Sequence, residues 1–293
     1  MSQTVAFIGL GVMGYPMAGH LVSAGKKVRA FNRTQSVAER FGAEHAATVA
    51  ATPAQAARDA DVVFLCVGND DSVRDVVLGP DGALAAMRRD ATLVDHTTAS
   101  ATLARELAQA GERVGVHVVD APVSGGEVGA QNGALSIMAG GTQAAFTNAD
   151  AVWGCYAKQA THIGPAGCGQ QAKMINQICI AGVLQGLCEG VALLEASGLD
   201  GERVFEAIGG GAAQSWQMNE RANTMLARKF DFGFAVDWMR KDLGLALDEA
   251  ERHGVALPLT RDVDALYAQV QSMSGGRLDT SSLLLAHDAK KSD

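Results

Sequence analysis

Three glycines near the N-terminus, Gly9, Gly11 and Gly14, are spaced as G-x-G-x-x-G. The motif follows a short apolar run and precedes a helical pattern over residues 16–24. At this spacing the first glycine permits a tight turn, the second lets a pyrophosphate approach the backbone, and the third lets helix and strand pack closely. A sequence with 34 glycines can produce the motif by chance, so its position between strand and helix is what makes it informative. We therefore predict that this loop binds a dinucleotide at the helix N-terminus, through Gly9, Leu10, Gly11, Val12, Met13 and Gly14.

The second predicted strand, residues 27–31, ends in Asn32, Arg33 and Thr34. An enzyme that uses NAD usually has an acidic side chain about 20 residues beyond the glycines, where it binds the ribose 2′-hydroxyl. Here that place is taken by a guanidinium, which is suited to bidentate phosphate binding. The alternative is a polar loop with a solvated arginine. The three residues predict NADP(H) as the cofactor.

Apolar runs of strand type recur up to about residue 163 and alternate with helical stretches; they cover residues 61–67, 92–95, 116–119 and 135–139. This alternation predicts βαβ units and hence a parallel, doubly wound α/β sheet of the Rossmann type. Because loops at the carboxyl ends of such strands form the cofactor crevice, we assign to it Cys66, Val67, Gly68 and Thr98. Ser124, Gly125 and Gly126 offer backbone N–H groups and a hydroxyl to a substrate carboxylate, or form an ordinary turn.

A long helical pattern over about 169–197 follows this region. It is apolar on nearly every side, which is typical of a helix buried along most of its length. Lys173, Asn176 and Gln177 are polar exceptions that share one face of the first turns. Either they serve a site, or this end of the helix is solvated.

Beyond the long helix the pattern shows amphipathic helices and no convincing strand; the helices cover 200–208, 215–227, 238–252 and 259–271. The sequence therefore predicts a Rossmann domain over 1–163 and an all-helical domain over 164–293, joined by the long central helix. The polar tail over 287–293 is expected to fray.

Composition narrows the function classes. A net charge of −8 gives no electrostatic footprint for nucleic acid, and no basic cluster stands out. Gln185 and Glu189 interrupt the apolar run of the long helix, which argues against a membrane span. The five cysteines are odd in number and never spaced as C-x-x-C, so we expect reduced, packed thiols in a cytoplasmic protein, with neither disulfides nor a metal site.

The sequence resembles the β-hydroxyacid dehydrogenase family, which includes 3-hydroxyisobutyrate dehydrogenase, tartronate semialdehyde reductase and glyoxylate/succinic semialdehyde reductase. Four segments keep the family's order: FIGLGVMGYPMAGHL at the N-terminus, DAPVSGGEVGAQNGALSIMAGG at 120–141, GPAGCGQQAKMINQ at 164–177 and KDLGLAL at 241–247. The resemblance implies hydride transfer between NADP(H) and a small β-hydroxyacid or its semialdehyde.

The resemblance also implies a role for each matching residue. Lys173 stands where the family has its catalytic lysine, a general acid/base whose pKa burial would bring toward neutrality. The amide four residues after the lysine is asparagine in many members and Gln177 here, which leaves open whether Asn176 or Gln177 contacts the substrate. Ser124, Gly125 and Gly126 match the loop that binds the substrate carboxylate.

The helical domain supplies the remaining matches. Lys241 corresponds to a cofactor-facing residue and Asp242 to a site-facing residue, for which a surface salt bridge is the alternative. Phe234 matches the aromatic residue that caps the active site, and Trp238 is expected to line the same pocket.

Two other functions share this scaffold. An imine reductase is one, although that group usually replaces the catalytic lysine, which Lys173 retains here. A protein that senses a dinucleotide without catalysis is the other, because fold alone does not fix function. The helical domain also suggests a homodimer or homotetramer.

Overall fold

The computed structural model describes residues 3–288, so residues 289–293 of the predicted frayed tail lie outside the described part of the chain. The chain forms two compact units, Met1–Lys173 (unit 1) and Met174–Asp293 (unit 2). The division falls inside the long helix, between Lys173 and Met174. The start of this helix belongs to unit 1, since the N–H groups of Gly167, just before it, and of Gln170, in its first turn, donate to the carboxylate of Asp120.

Unit 1 is an α/β domain built on one sheet. Its strands are β1 (Thr4–Ile8), β2 (Lys27–Phe31), β3 (Thr48–Val49), β4 (Val62–Leu65), β5 (Thr92–Asp95), β6 (His117–Asp120), β7 (Val123–Ser124), β8 (Leu135–Gly141) and β9 (Ala157–Gly164). Its helices are α1 (Gly14–Ser23), α2 (Gln35–His45), α3 (Pro53–Ala57), α4 (Asp70–Leu78), α5 (Ala101–Val114), α6 (Gly126–Gln131) and α7 (Gln143–Trp153).

The strand order is β3-β2-β1-β4-β5-β6-β8-β7, with β9 paired to β8. Strands β1 to β6 are parallel, which confirms the doubly wound Rossmann sheet. Strand β8 runs antiparallel to β6 and β7, which the alternation pattern did not predict. The pattern also missed β9, because most of its residues are polar or partly exposed, as is common at a sheet edge.

Both faces of the central strands are buried, which is why β1 and β4 are nearly continuous apolar runs. Phe7 and Phe64 belong to the core on one face, and Ile8, Leu65 and Leu93 to the core on the other. Packed on two sides, these strands hold the loops at their carboxyl ends in fixed positions.

The long helix α8 (Cys168–Ala196) is followed by helices only: α9 (Gly201–Ile208), α10 (Trp216–Leu226), α11 (Val236–Arg252), α12 (Pro258–Ser272) and α13 (Leu285–Asp288), with a 3-10 turn over Thr280–Leu284 before the last. The all-helical second domain is therefore confirmed for the described residues. Its core joins α8 to α10, α11 and α12 through Leu184, Met225, Leu243 and Tyr267.

The prediction that α8 is buried along most of its length is wrong. Six residues that recur every three or four positions are exposed along one face: Ile175, Cys179, Val183, Gly186, Gly190 and Leu193. We call this face the exposed stripe of α8. Cys179 is accordingly not a packed thiol. Within residues 3–288, α8 is the one helix long and apolar enough to cross a membrane, a test that core helices of globular proteins also pass.

Arg228 anchors the last described helix to the end of α8. Its guanidinium donates to Glu195 in α8 at 2.8 and 3.0 Å and to Asp288 in α13 at 2.9 Å through two nitrogens. His287 and Asp288 are thus part of a helix held by a bidentate ion pair, and the expected fraying does not begin at residue 287.

Candidate active site

The glycine loop has the geometry that its spacing predicts. Gly9 has a φ of +94°, and a Cβ there would collide with the carbonyl oxygen of Cys66. A Cβ on Gly14 would collide with the backbone of Gly9, whereas nothing lies within 4 Å of a Cβ built on Gly11. The first and third glycines therefore allow close packing inside the protein, and the second leaves open space beside the loop.

The end of β2 is tied to this loop by Asn32. Its Oδ1 accepts from the N–H of Leu10 at 2.9 Å, and its Nδ2 donates to the carbonyl of Thr34 at 3.0 Å. Asn32 therefore shapes the loop in addition to any contact with a ligand. Arg33 and Thr34 are exposed, and the Thr34 side chain makes no capping hydrogen bond to α2, so both side chains face solvent beside the glycine loop.

The loops after β4 and β5 join the same edge of the sheet. The backbone of Cys66 bonds that of Ile8 at 2.9 Å, and the N–H of Val67 donates to Oγ1 of Thr97 at 3.0 Å. Gly68 and Thr98 are partly buried in these two loops. The predicted cofactor residues of unit 1 therefore come together at the carboxyl ends of four neighbouring strands.

Two buried carboxylates that sequence reasoning missed lie at this edge. Asp95 and Asp120 end β5 and β6 as register partners, and they are 3% and 2% exposed. Burial raises the pKa of Asp95 to about 7 and that of Asp120 to about 6, against hydrogen bonds that lower both. The available signal was an aspartate closing two successive apolar strands, in TLVD and HVVD.

Gln170, also missed, joins α8 to the same edge. Its Oε1 accepts from the N–H of Ala99 at 3.0 Å, and its Nε2 donates to the carbonyl of Thr97 at 2.8 Å. Lys173 follows one helical turn later and is 8% exposed. The interpretation of this helix end as solvated is therefore wrong.

His96 is buried beside these groups and is structural. Its Nδ1 lies 2.6 Å from the carbonyl of Ala121 and must donate there, so Nε2 accepts from the hydroxyl of Tyr156 at 2.9 Å. Burial lowers the pKa of His96 to about 4, which keeps the imidazole neutral.

The predicted carboxylate loop has an unusual backbone. Ser124 is the last residue of β7, and the next two residues, Gly125 and Gly126, have φ of +128° and +61°. Nothing lies within 4 Å of a Cβ built on Gly126, and both glycines are exposed. The backbone of this loop is thus exposed, as an anion-binding loop requires.

In unit 2, Gln177 and Asp242 form a buried polar pair between α8 and α11. Gln177 is fully buried; its Nε2 donates to Oδ2 of Asp242 at 2.7 Å, and its Oε1 accepts from Asn176 at 2.8 Å. Oδ1 of Asp242 lies 3.1 Å from Nζ of Lys241, without the geometry of a hydrogen bond. Because Asp242 is 3% exposed, the alternative of a surface salt bridge is wrong.

The two predicted aromatic residues differ in their surroundings. Phe234 is partly buried against the core of unit 2. Trp238 is 41% exposed, with Nζ of Lys241 lying 6.0 Å from its ring centroid. Phe234 precedes α11 and Trp238 lies in its first turn, in the same unit as Asp242.

A dinucleotide fits the residues of unit 1. The glycine loop leaves space at Gly11, the first turn of α1 carries no acidic residue, and the loops of four strands meet beside it. A parallel sheet with this loop and a following helical unit defines the class of NAD(P)-dependent oxidoreductases.

Comparisons with known proteins narrow this class. Residues 4–164 match the family described as the NAD binding domain of 6-phosphogluconate dehydrogenase, and residues 167–286 match the one described as "NAD-binding of NADP-dependent 3-hydroxyisobutyrate dehydrogenase". An uncharacterized oxidoreductase of Shewanella frigidimarina is 54% identical over 98% of this chain and 99% of its own. The 2-hydroxy-3-oxopropionate reductase of Escherichia coli is 34% identical over 96% of each chain.

A solved structure shows the same fold. The 3-hydroxyisobutyrate dehydrogenase of Mycobacterium tuberculosis, with L-serine, has a TM-score of 0.88 and 33% identity, and the match covers 97% of this chain and 98% of that one. The chain therefore belongs to the β-hydroxyacid dehydrogenase family, whose members are NAD(P)-dependent hydroxyacid dehydrogenases.

The buried carboxyl of Asp95 predicts a pH-dependent stability. At pH values between about 4 and 7 the folded state keeps a proton that the unfolded chain has lost, so Asp95 makes the protein less stable as the pH rises through this window. Asparagine has no such proton. The free energy of unfolding of Asp95→Asn relative to the wild type should therefore increase with pH, by up to about 1.4 kcal/mol per pH unit.

Urea denaturation of both proteins from about pH 5 to about pH 8 measures this difference. A difference that stays constant across the range contradicts the account of Asp95.

Proposed function

We propose that the protein interconverts a small β-hydroxyacid and its semialdehyde or oxoacid with NADP(H), and that Lys173 is the general acid/base. The observation that carries this proposal is the burial of Lys173, which is 8% exposed in the helix whose first turn is bonded to the carboxyl ends of the Rossmann strands. A buried lysine in this position needs a chemical reason, and proton transfer to a substrate oxygen is such a reason.

The proposed reaction transfers one hydride and one proton. In the direction of reduction, NADPH held beside the glycine loop would supply the hydride for the carbonyl carbon. The ammonium of Lys173 gives its proton to the carbonyl oxygen, so an alcohol forms and a neutral amine remains. The oxidation of the hydroxyacid reverses both transfers.

The substrate carboxylate is assigned to the loop of Ser124, Gly125 and Gly126. Support comes from its two successive positive-φ glycines and from the exposure of their backbone. In unit 2, we propose that the side-chain amide of Asn176 contacts the substrate and that Gln177 has a positioning role. The nitrogen of the Gln177 amide is already bonded to Asp242, and its oxygen to Asn176. The location is proposed to be the cytoplasm, on cysteine usage alone.

NADP(H) is proposed over NAD(H) because Arg33 follows β2 where an acidic residue would favour NAD. The family matched by residues 167–286 is described as NADP-dependent, which supports the same choice. Phosphate recognition by a guanidinium is charge-assisted and is lost when the side chain is removed.

A second copy of the chain is proposed to cover the exposed stripe of α8. The stripe is apolar from Ile175 to Leu193, about 27 Å at 1.5 Å per residue, and carries no charged side chain. Gly186 and Gly190 have nothing within 4 Å of an added Cβ, so another helix can approach closely there. An apolar stripe is self-complementary, as a two-fold interface requires. The protein is therefore expected to be a dimer, or a tetramer of such dimers.

Replacing Lys173 by alanine should leave NADPH binding intact but lower kcat by about 10²- to 10⁴-fold, because it removes the proton donor and keeps the dinucleotide loops. NADPH fluorescence titration and steady-state rates measure the two effects. Lys158→Ala is the control, since Lys158 is an exposed lysine in β9. Near-normal turnover in Lys173→Ala would refute the assigned role.

Arg33→Ala should raise the KM for NADPH about tenfold or more and the KM for NADH by less than about threefold, since a charged hydrogen bond contributes about 1.5–3 kcal/mol. The control is Arg113→Ala, which removes an exposed arginine from the end of α5. Equal increases for both cofactors would contradict recognition of the 2′-phosphate.

Val183→Lys should convert the oligomer into single chains of 30.4 kDa, because it places a charge in the middle of the apolar interface. Val114→Lys is the matched control. Val114 lies at the end of α5, and it is 41% exposed, compared with 39% for Val183. Size-exclusion chromatography with light scattering gives the masses. A Val183→Lys protein with the mass of the wild type would exclude the stripe as the interface.

A further inference from the structure

The carboxylate of Asp120 holds the backbone at the start of α8. Oδ1 accepts from the N–H of Gly167 at 2.8 Å, and Oδ2 accepts from the N–H of Gln170 at 2.9 Å. The first N–H groups of a helix have no partner within the helix, so this side chain supplies partners that the chain before α8 does not. Asp120 belongs to β6 and is 2% exposed.

Two glycines make this contact possible. A Cβ on Gly140 would lie 2.5 Å from Oδ1 of Asp120 and 2.8 Å from its Oδ2. A Cβ on Gly169 would lie 2.9 Å from Oδ2 and 2.5 Å from the carbonyl oxygen of Asp120. Real side chains do not approach so closely, so the carboxylate occupies a space that any larger residue at either position would fill.

The side chain of Gln170 binds the same turn to a second strand end. It bonds to Ala99 and Thr97, which lie in the loop after β5, and Gln170 is 1% exposed. Asp120, the last residue of β6, accepts a hydrogen bond from the backbone N–H of Gln170 itself. The start of α8 is therefore fixed in unit 1 from two neighbouring strands, one helical turn before Lys173.

The negative charge on Asp120 is disfavoured by burial and favoured by its hydrogen bonds. Burial raises its pKa to about 6, while hydrogen bonds from Gly167 and Gln170 lower it. Without those N–H groups the carboxylate would be an isolated buried charge. The helix start and the carboxylate therefore stabilise each other, and a change in one displaces the other.

We propose that Asp120 is a positioning residue for catalysis: by fixing the first turn of α8 it sets the location of the Lys173 amine. This inference rests on the general acid/base function proposed above for Lys173. It predicts that a disturbance of Asp120 lowers the rate of the chemical step and spares cofactor binding. The reason is that the carboxylate is bonded to Gly167 and Gln170, whereas the glycine loop after β1 is bonded to Asn32.

Two variants disturb the contact in different ways. Asp120→Asn replaces one acceptor oxygen by an NH₂ group that would face an N–H donor. Gly140→Ala leaves the carboxylate chemically intact but places a methyl group 2.5 Å from Oδ1 of Asp120 and 2.8 Å from the backbone N of Gly169, so the contact between Asp120 and the start of α8 is displaced from both sides. In both, kcat should fall about 10- to 100-fold, as expected for a displacement of about 1 Å, while the KM and Kd for NADPH stay within about twofold of the wild type.

Tyr156→Phe is the matched control for lost stability. It removes a buried hydrogen bond of unit 1, from the Tyr156 hydroxyl to His96, and leaves Asp120 and α8 untouched. Its kcat should stay within about twofold of the wild type at a comparable loss of Tm. A kcat that falls equally in Tyr156→Phe would show that Asp120 acts through general stability, and would overturn the inference.

Hydrogen exchange followed by mass spectrometry supplies a readout that does not depend on activity. In Asp120→Asn, amide exchange should become faster from Gly167 through Lys173 and remain unchanged in α1. Unchanged exchange through Lys173 overturns the inference, as does faster exchange with a wild-type kcat. Failure of the proposed function looks different: either the wild type turns over no substrate, or Lys173→Ala keeps its activity.

Discussion

The backbone of Gly169 lies so close to Asp120 and Met138 that a Cβ there would be 2.5 Å from the carbonyl oxygen of each. This close approach fixes where α8 can start relative to the sheet. Since Lys173 lies on α8 one turn after this contact, the start of the helix also fixes where Lys173 stands in unit 1. The chemistry proposed for the protein depends on this contact, although Gly169, Asp120 and Met138 are not expected to touch the substrate.

The carboxyl edge of the sheet is unusually polar for a buried region. Asp95, His96, Thr97 and Asp120 are each at most 3% exposed, and each makes a hydrogen bond to the protein. When all buried polar groups have hydrogen-bond partners, they specify one packing of the surrounding residues. The loops proposed to bind ligands are thus fixed by hydrogen bonds, while apolar cores pack on the two faces of the sheet.

Much of the fold could be predicted from the sequence, because local patterns carry it. The glycine spacing places Gly9 and Gly14 at close contacts, and the apolar runs predict the parallel strands. The role of Asp120 could not be predicted, since its partners Gly167 and Gln170 lie 47 and 50 residues away. An aspartate that closes a strand has no local signal that shows which distant N–H groups it binds.

The long helix shows a second limit. Its apolar composition predicts burial, but composition does not tell whether the covering surface belongs to the same chain or to another copy. Ile175, Val183 and Leu193 are therefore exposed, although the composition of the helix predicts burial. For Gln177 the sequence left two roles open, and its full burial against Asp242 favours positioning over substrate contact.

The most direct test of the central claim is the initial rate of NADPH oxidation with a panel of small acids that carry a carbonyl group. The panel contains glyoxylate, succinic semialdehyde, tartronate semialdehyde and methylmalonate semialdehyde, with a cyclic imine as the unrelated substrate and NADH as the alternative cofactor. We expect rapid oxidation of NADPH with at least one of the acids and slower oxidation of NADH. Turnover of the imine with none of the acids would contradict it, as would tight NADPH binding with no turnover at all.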